Sequence, residues 1–168
     1  MKIGIVSDSH GRTNRLEAAV EAMRRRGVEA VVHCGDLIGP EAIDALAKAG
    51  TPVYAVAGNM DHNIAPLAQA AERQGVTFSG EVVEVPLGRD RFLVATHGND
   101  QEILGELIAG RKFSYVCHGH THCRRDERVD HVRVINPGAL NHPKHPNYPS
   151  AAVLDTETDS LEWLQIAR

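Results

Sequence analysis

The chain lacks the long apolar run that a membrane span needs, and it lacks the features of a secretory signal peptide. It opens directly on the strand pattern Lys2-Ile3-Gly4-Ile5-Val6, with no basic segment, extended apolar region or small-residue cleavage site. No broad basic face is present either, since 18 Lys and Arg stand against 22 Asp and Glu. The cluster Arg24-Arg25-Arg26 is expected to end a helix, where cations interact favourably with the helix dipole. We therefore expect no membrane insertion and no stable nucleic-acid binding, while a nucleotide or a nucleic-acid end still qualifies as a substrate.

Cysteine is scarce, and its spacing is not that of a zinc ribbon. The three cysteines are Cys34, Cys117 and Cys123, and the first two lie inside apolar strand patterns. Such positions favour buried, reduced thiols over disulfides. Reduced thiols and the absence of a signal peptide predict a cytoplasmic location.

No internal repeat, low-complexity tract or long linker divides the chain, so residues 1–168 are predicted to form one domain. Its first part alternates strands with helices. The predicted strands are Ile3–Val6, Ala30–Cys34 and Pro52–Ala57, and the predicted helices are Asn14–Arg26, Glu41–Ala49 and about Ala65 to Arg73. Continuous apolar strands with helices between them indicate a parallel sheet that is covered on both faces.

The second part of the chain has a different pattern. A hairpin joins Glu81–Pro86 to Arg91–Thr96, and a helix is predicted over Gln101–Ala109. Further strands are predicted at Ser114–Cys117, Val129–Ile135, Ala151–Asp155 and Leu161–Ile166. This part is expected to be largely antiparallel. Two sheets packed on each other with helices outside, an α/β architecture, account for both parts most simply.

Five short polar segments follow predicted strands at the points where those strands end. They are Asp8-Ser9-His10, Gly35-Asp36, Gly58-Asn59, His97-Gly98 and Gly119-His120-Thr121-His122. In open α/β sheets, ligands bind beyond the carboxyl ends of the strands. Residues two apart in extended backbone project to the same side, so Asp8 with His10, and His120 with His122, can each present two groups. Any one segment is commonly just a turn, but together they predict a two-metal hydrolytic centre.

The donor types restrict the metals that such a centre would hold. Imidazole, carboxylate and amide oxygen suit Mn, Fe, Ni, Co or Zn, and the lack of thiolate argues against a structural zinc. Two divalent ions with Asp8 and Asp36 would leave a formal charge of roughly +2, which favours an anionic phosphate. A carboxylate such as Asp36 can bridge the two ions.

The five segments together resemble the signature of calcineurin-like metallophosphoesterases. In addition, Val6-Ser7-Asp8-Ser9-His10-Gly11 and Ile135-Asn136-Pro137-Gly138 resemble the small bacterial and archaeal phosphodiesterase subgroup, and the likeness runs from Met1 to about Asp155. It implies a four-layer α-β-β-α sandwich of two mixed sheets flanked by helices. It also implies two metal sites that share Asp36: one of Asp8, His10, Asp36 and His122, the other of Asp36, Asn59, His97 and His120.

The same resemblance implies a function. Manganese would be the favoured ion, and a hydroxide bridging two metals would attack a small phosphodiester or nucleotide, including 2′,3′-cyclic forms. A phosphomonoesterase is an alternative. So is a non-catalytic scaffold, because the small subunit of the retromer coat uses this fold with a degraded metal site. Every metal-binding position here keeps a competent donor, which favours the enzyme. A homo-oligomer is compatible with the sequence.

One departure from the family pattern bears on the chemistry. Many members carry a histidine after the Gly-Asn pair that donates a proton to the leaving group, whereas this chain has Met60. Poor alkoxide leaving groups should therefore be expelled slowly. The candidate catalytic residues are Asp36, Asn59 and Asp61, with Asp61 expected to orient a ligand histidine.

Other polar residues near the motifs have weaker claims on a role. Arg12 and His142 are candidates for substrate binding, and His62 is expected to be an exposed loop residue. His33 and His118, inside strand patterns, are expected to be buried and hydrogen-bonded first and to support ligands second.

Overall fold

The computed structural model of the chain describes residues 1–167; Arg168, the last residue of the predicted domain, lies outside them. Four helices and eleven strands are present in these residues. In chain order they are β1 (Lys2–Val6), α1 (Thr13–Arg24), β2 (Ala30–His33), α2 (Pro40–Ala47), β3 (Val53–Val56), α3 (Ala65–Gln74), β4 (Thr77–Ser79), β5 (Val82–Gly88), β6 (Arg91–Thr96), α4 (Gln101–Ala109), β7 (Tyr115–Cys117), β8 (Arg124–Val129), β9 (Val132–Pro137), β10 (Ser150–Asp155) and β11 (Ser160–Gln165).

The strands form two mixed sheets, as the resemblance implied. The six-stranded sheet has the order β11-β10-β1-β2-β3-β4, with β1 to β4 parallel, β10 antiparallel to β1, and β11 antiparallel to β10. The five-stranded sheet has the order β5-β6-β7-β9-β8, in which β6, β7 and β9 run parallel and the outer strands antiparallel.

Alternation of side chains along the strands builds the layers. In β1, Ile3 and Ile5 point into the core between the two sheets, while Val6 packs beneath α1 to α3. On the far side, Leu104 of α4 packs on Val116 and Val134 of the second sheet. Residues two apart on a strand share a face, so each sheet buries one face on the other sheet and one on helices. The predicted four-layer α-β-β-α sandwich is confirmed.

Three sequence-based expectations need correction. The predicted strand Val129–Ile135 is instead a hairpin, in which β8 turns at residues 130 and 131 into β9. The short strand β4 was not predicted. The second part of the chain is only partly antiparallel, since β6, β7 and β9 are parallel neighbours. β8 was missed because its sequence, Arg-Arg-Asp-Glu-Arg-Val, belongs to an edge strand with no fully buried residue and carries no apolar alternation.

Parallel strands from both sheets end at the same edge of the sandwich. The loops after β1, β2 and β3 carry Asp8, Asp36 and Asn59, and those after β6 and β7 carry His97 and His120. Backbone hydrogen bonds join these loops to one another, including Asp8 N to Gly35 O (3.0 Å), His10 N to Asp36 O (2.9 Å) and Gly119 N to His97 O (2.9 Å). The fold therefore brings the five predicted segments into one region.

Two further expectations concern buried thiols and membranes. Cys34 and Cys117 are buried and unpaired, as predicted. Within residues 1–167, no helix has the length and apolar composition needed to cross a bilayer.

Candidate metal centre

The first group of predicted ligands converges closely. The donor atoms of Asp8, His10, Asp36 and His122 all lie within 4.8 Å of one another. The Nε2 atom of His122 is 3.3 Å from that of His10 and 3.3 Å from Asp8 Oδ1. Donors placed 2.0–2.2 Å from one cation are separated from each other by roughly 3–3.5 Å. These four side chains have the spacing that a divalent ion requires.

The second predicted group meets the first at Asp36. Its Oδ2 lies 3.5 Å from His10 Nε2 in the first group, whereas its Oδ1 lies 3.4 Å from His97 Nε2 in the second. Asn59 Oδ1 completes the second group, 2.9 Å from both His97 Nε2 and His120 Nδ1. The two oxygens of a single buried carboxylate thus face two separate sets of donors, as the predicted bridge requires.

Backbone carbonyls fix the tautomers of two of these histidines. His97 Nδ1 donates to Cys34 O at 2.8 Å, and His122 Nδ1 donates to His142 O at 2.9 Å. In the neutral ring the Nε2 atom then carries a lone pair and faces the other donors. Lone pairs and carboxylate oxygens directed at one point repel unless a cation lies between them. The residues present therefore fit a pair of divalent metal ions.

The electrostatics of the cluster favour the ionised form of Asp36. Burial works to raise the pKa of Asp36, but its hydrogen bonds with His97 and the Met60 amide outweigh that effect and lower it. Burial likewise opposes protonation of His97, yet in the metal-free protein a proton on Nε2 can donate to Asp36 in place of a cation, and this bond together with that to Cys34 O leaves the pKa of His97 raised. Burial lowers the pKa of His10 and of His120, against the attraction of Asp8 and Asp36.

Backbone strain is concentrated at the candidate ligands. Asp8, His10, Asp36, His120 and His122 all have positive φ, between 42° and 63°. For a residue with a side chain this left-handed conformation costs about 1–2 kcal/mol, and it clusters at functional sites. The expectation that these segments are extended is therefore wrong. Left-handed turns, held by backbone hydrogen bonds between the loops, aim the side chains instead.

Asp61 plays a different part from the one expected. Its carboxylate accepts hydrogen bonds from the backbone amides of Leu37 (3.1 Å), Ile38 (2.7 Å) and Gly58 (2.8 Å). It therefore ties the loop that carries Asp36 to the loop that carries Asn59. Instead of contacting a ligand histidine, as predicted, the Asp61 side chain holds the backbones of these two loops together.

His33 is buried and hydrogen-bonded, as predicted. Its Nδ1 accepts from the Gly35 amide at 3.2 Å, so its Nε2–H is the donor to Ser9 Oγ at 3.1 Å. His33 thereby connects the loops of the Asp8 and Asp36 segments. His118 is buried too. Next to His118, the side chain of Asn136, from the Ile135-Asn136-Pro137-Gly138 motif, donates a hydrogen bond to Gly119 O at 2.8 Å.

Acidification should destabilise the metal-free protein through His33. Burial lowers the pKa of His33 from its ordinary value of 6.5 to about 4. As the pH falls, the unfolded chain therefore binds a proton at this histidine before the folded protein does. The contribution of His33 to the free energy of unfolding is complete above pH 6.5 and is lost as the pH drops toward 4. The loss is on the order of 3 kcal/mol. His33→Gln, which keeps a donor and an acceptor, should lose correspondingly less stability than the wild type between pH 7 and pH 4.5 in urea titrations with chelator. Parallel pH profiles for the two proteins would contradict this assignment.

The remaining predicted residues lie around this cluster. Arg12 is exposed immediately before α1. His142 borders the first group, with its ring centroid 6.2 Å from that of His10. Met60 is 43% exposed, and His62 is exposed as expected. Sequence reasoning missed the supporting carbonyls of Cys34 and His142, because a backbone oxygen has no signature in the side-chain pattern.

Comparison with known proteins shows the class to which this site belongs. The family model of the calcineurin-like phosphoesterase superfamily domain matches residues 1–159. The chain therefore belongs to that superfamily, as its motifs indicated.

Individual relatives are consistent with the small subgroup. The chain is 32% identical over 158 residues to the phosphodiesterase MJ0936 of Methanocaldococcus jannaschii, covering 94% of each chain. It is 27% identical over 176 residues to the phosphodiesterase YfcE of Escherichia coli K12, covering 96% of this chain and 91% of that one.

Solved structures agree on the fold. A structure described as a novel archaeal phosphodiesterase has a TM-score of 0.88 at 30% identity, covering 99% of this chain and 100% of that one. Vps29 of Entamoeba histolytica, solved with zinc, has a TM-score of 0.65 at 20% identity, covering 98% and 97%. The likeness to Vps29 concerns the fold alone.

Proposed function

We propose that this protein is a phosphodiesterase that depends on two divalent metal ions. Asp8, His10, Asp36 and His122 would hold one ion, and Asp36, Asn59, His97 and His120 the other. The observation that carries the proposal is the placement of Asp36, whose two oxygens each face a separate set of lone-pair donors. The names of the relatives at 32% and 27% identity support the diester as the bond that is cleaved.

Bound divalent ions would lower the pKa of a water molecule and neutralise charge on the phosphoryl oxygens. The chain's own residues prepare the site for this chemistry. Asp36 would bridge the ions, Asn59 would supply a neutral oxygen next to the second ion, and Asp61 would fix the distance between their loops. With two carboxylates among the ligands, the loaded centre keeps a formal charge of about +2 that attracts an anionic diester.

The finer identity of metal and substrate is part of the proposal. Manganese is the favoured ion, with Ni, Co, Fe or Zn as alternatives that the same donors accept. A nucleotide diester is the favoured substrate class, including 2′,3′-cyclic nucleotides. The buried, unpaired Cys34 and Cys117 support a cytoplasmic location, and we propose that the 168 residues act as one domain.

A direct test compares a chromogenic phosphodiester with its monoester. Metal-stripped protein receives Mn, Ni, Co, Zn or Mg, and p-nitrophenolate release from bis(p-nitrophenyl) phosphate and p-nitrophenyl phosphate is measured. We expect metal-dependent turnover that favours the diester. Preference for the monoester would support the phosphomonoesterase alternative. Absence of metal binding would favour a non-catalytic scaffold. The site itself argues against that alternative, because a scaffold would have no use for four histidines, two aspartates and one asparagine directed at one another.

The lack of a proton donor for the leaving group at position 60 gives a second expectation. Met60 directly follows Asn59, and its amide donates to Asp36 Oδ1 at 2.9 Å, so its side chain begins beside the centre. Met60→His should supply the missing general acid and raise the hydrolysis of alkyl diesters about tenfold or more, since general acids contribute roughly 10²–10⁴-fold. Turnover of p-nitrophenyl esters should change little, because that leaving group needs no proton. Equal effects on both substrates would contradict this role for position 60.

A further inference from the structure

A cavity of about 480 Å³ lies beside the first ligand group. Arg15 of α1 lines one side, and eight residues of the loop 141–149, all except Lys144, line the rest. His142 connects this cavity to the proposed centre. Its backbone oxygen accepts from His122 Nδ1 at 2.9 Å, and its ring lies 6.2 Å from that of His10. A substrate whose phosphate reached the metal centre could therefore extend one substituent into this cavity.

The lining of this cavity suits an anion. None of its nine described residues is acidic, although the whole chain has a net charge of −4. Arg15 Nη1 donates to Leu140 O at 2.9 Å and to Asn141 Oδ1 at 3.4 Å. Both acceptors are neutral, so these contacts orient the guanidinium without cancelling its charge. An oriented guanidinium is well suited to binding phosphate.

The same cavity offers a planar apolar surface. Tyr148 lines it and is 50% exposed. Three prolines line the cavity with it. An exposed aromatic ring on a wall of this kind is a stacking platform for a nucleobase, and such stacking is sequence-tolerant. The cavity thus combines the two features by which proteins recognise a nucleotide.

The opposite side of the centre has neither feature. There a cavity of about 160 Å³ is lined by Asn59 and His97 together with Glu81 and Asp100. It is smaller than the roughly 300 Å³ at which ligand pockets begin, and its two carboxylates disfavour an anion. The two sides of the centre are therefore unequal in both volume and charge.

We propose that the cavity formed by Arg15 and residues 141–149 binds the nucleotide part of the diester that the enzyme retains after cleavage. The base stacks on Tyr148, and a further phosphate on the nucleotide binds Arg15. In an acyclic diester the leaving group is directed away from this cavity, toward Asn59 and Met60. This inference rests on the proposed phosphodiesterase function and names its substrate class.

Three substrates with one leaving group test the proposal on the metal-loaded protein. They are methyl p-nitrophenyl phosphate, the p-nitrophenyl ester of thymidine 5′-phosphate, and the same ester with a 3′-phosphate. We expect kcat/KM to rise about tenfold with the thymidine group and to rise again with the 3′-phosphate. Because p-nitrophenolate leaves in every case, these ratios isolate the retained substituent.

Matched variants assign the two increases. Tyr148→Ala should lower the thymidine-to-methyl ratio about tenfold, while Tyr148→Phe keeps it. Arg15→Gln should remove the gain from the 3′-phosphate, and Arg15→Lys should retain part of it. Glu81→Gln, in the opposite cavity, should leave both ratios unchanged. Calorimetry with thymidine 3′,5′-bisphosphate provides a readout without turnover, and binding should weaken about tenfold in Tyr148→Ala.

The outcomes separate this inference from the proposed function. Ratios near one in the wild type, or a larger change from Glu81→Gln than from Tyr148→Ala, would overturn the nucleotide cavity while leaving the phosphodiesterase intact. No hydrolysis of any ester with any metal would overturn the proposed function. Calorimetry would then still decide the cavity, since bisphosphate binding that is equal in wild type and Tyr148→Ala would exclude it.

Discussion

Asp36→Asn is expected to lower metal-dependent diester hydrolysis by about 10³-fold or more. The substitution keeps the size of the side chain but removes the charge that both proposed ions share. Each oxygen of Asp36 lies about 3.5 Å or less from a histidine nitrogen of a different group, so in the variant one site loses its oxygen ligand and the other keeps only a neutral amide oxygen. Metal ions supply several kcal/mol of transition-state stabilisation, and each 1.36 kcal/mol corresponds to a factor of ten. Turnover of bis(p-nitrophenyl) phosphate and bound metal per chain are the quantities to measure.

The matched control for this variant is Asp90→Asn. Asp90 is exposed in the turn between β5 and β6, and asparagine tolerates its positive φ of 55°. This variant should keep wild-type turnover and metal content. If Asp36→Asn also kept both, Asp36 would not be the shared ligand and the two-ion arrangement would be wrong.

Gly119→Ala is expected to disrupt the centre through a single added carbon. A β-carbon at position 119 would overlap Ser7 Oγ and lie 2.6 Å from Asp8 Oδ2 and 3.0 Å from Cys34 O. Cys34 O also accepts the Nδ1 hydrogen bond of His97, so the clash affects both ligand groups. Overpacking of this kind costs about 3 kcal/mol. We expect a lower unfolding free energy in urea, weaker metal binding and loss of hydrolysis.

Gly105→Ala provides a control with the opposite sign. Gly105 is exposed within α4, and nothing lies within 4 Å of a β-carbon built there. The same substitution should therefore stabilise the protein by about 0.5–1 kcal/mol, because glycine is unfavourable in a helix interior. If both variants moved the unfolding free energy in the same direction and by the same amount, the close approach at Gly119 would not be what constrains that position.

Much of the fold followed from apolar periodicity. Buried strands such as Ile3–Val6 and the amphipathic helix at Leu16 to Met23 are set by side-chain burial, which the sequence pattern reports directly. The edge strand β8 was missed because its charged residues, none of them fully buried, are held in the sheet by backbone pairing with β9, and such pairing cannot be read from a hydropathy pattern. The pattern also indicated two packed sheets with helices outside, and the family resemblance specified them as a four-layer α-β-β-α sandwich.

The candidate site was recognisable because its chemistry lies in side-chain types at strand ends. Its geometry was not. Left-handed backbone at Asp8 or His120 depends on hydrogen bonds between loops far apart in sequence, and no local propensity encodes them. For the same reason, Asp61 was expected to contact a histidine, whereas its position is determined by two amides of the loop after β2 and one amide of its own loop.

The most direct measurement titrates metal-stripped protein with Mn²⁺ while p-nitrophenolate release from a phosphodiester is recorded. The account predicts that bound manganese reaches two ions per chain and that hydrolysis rises to its maximum as the second ion binds. Saturation of both binding and hydrolysis at one ion would contradict the shared role of Asp36. Binding of two ions without hydrolysis of aryl or nucleotide diesters would contradict the phosphodiesterase itself.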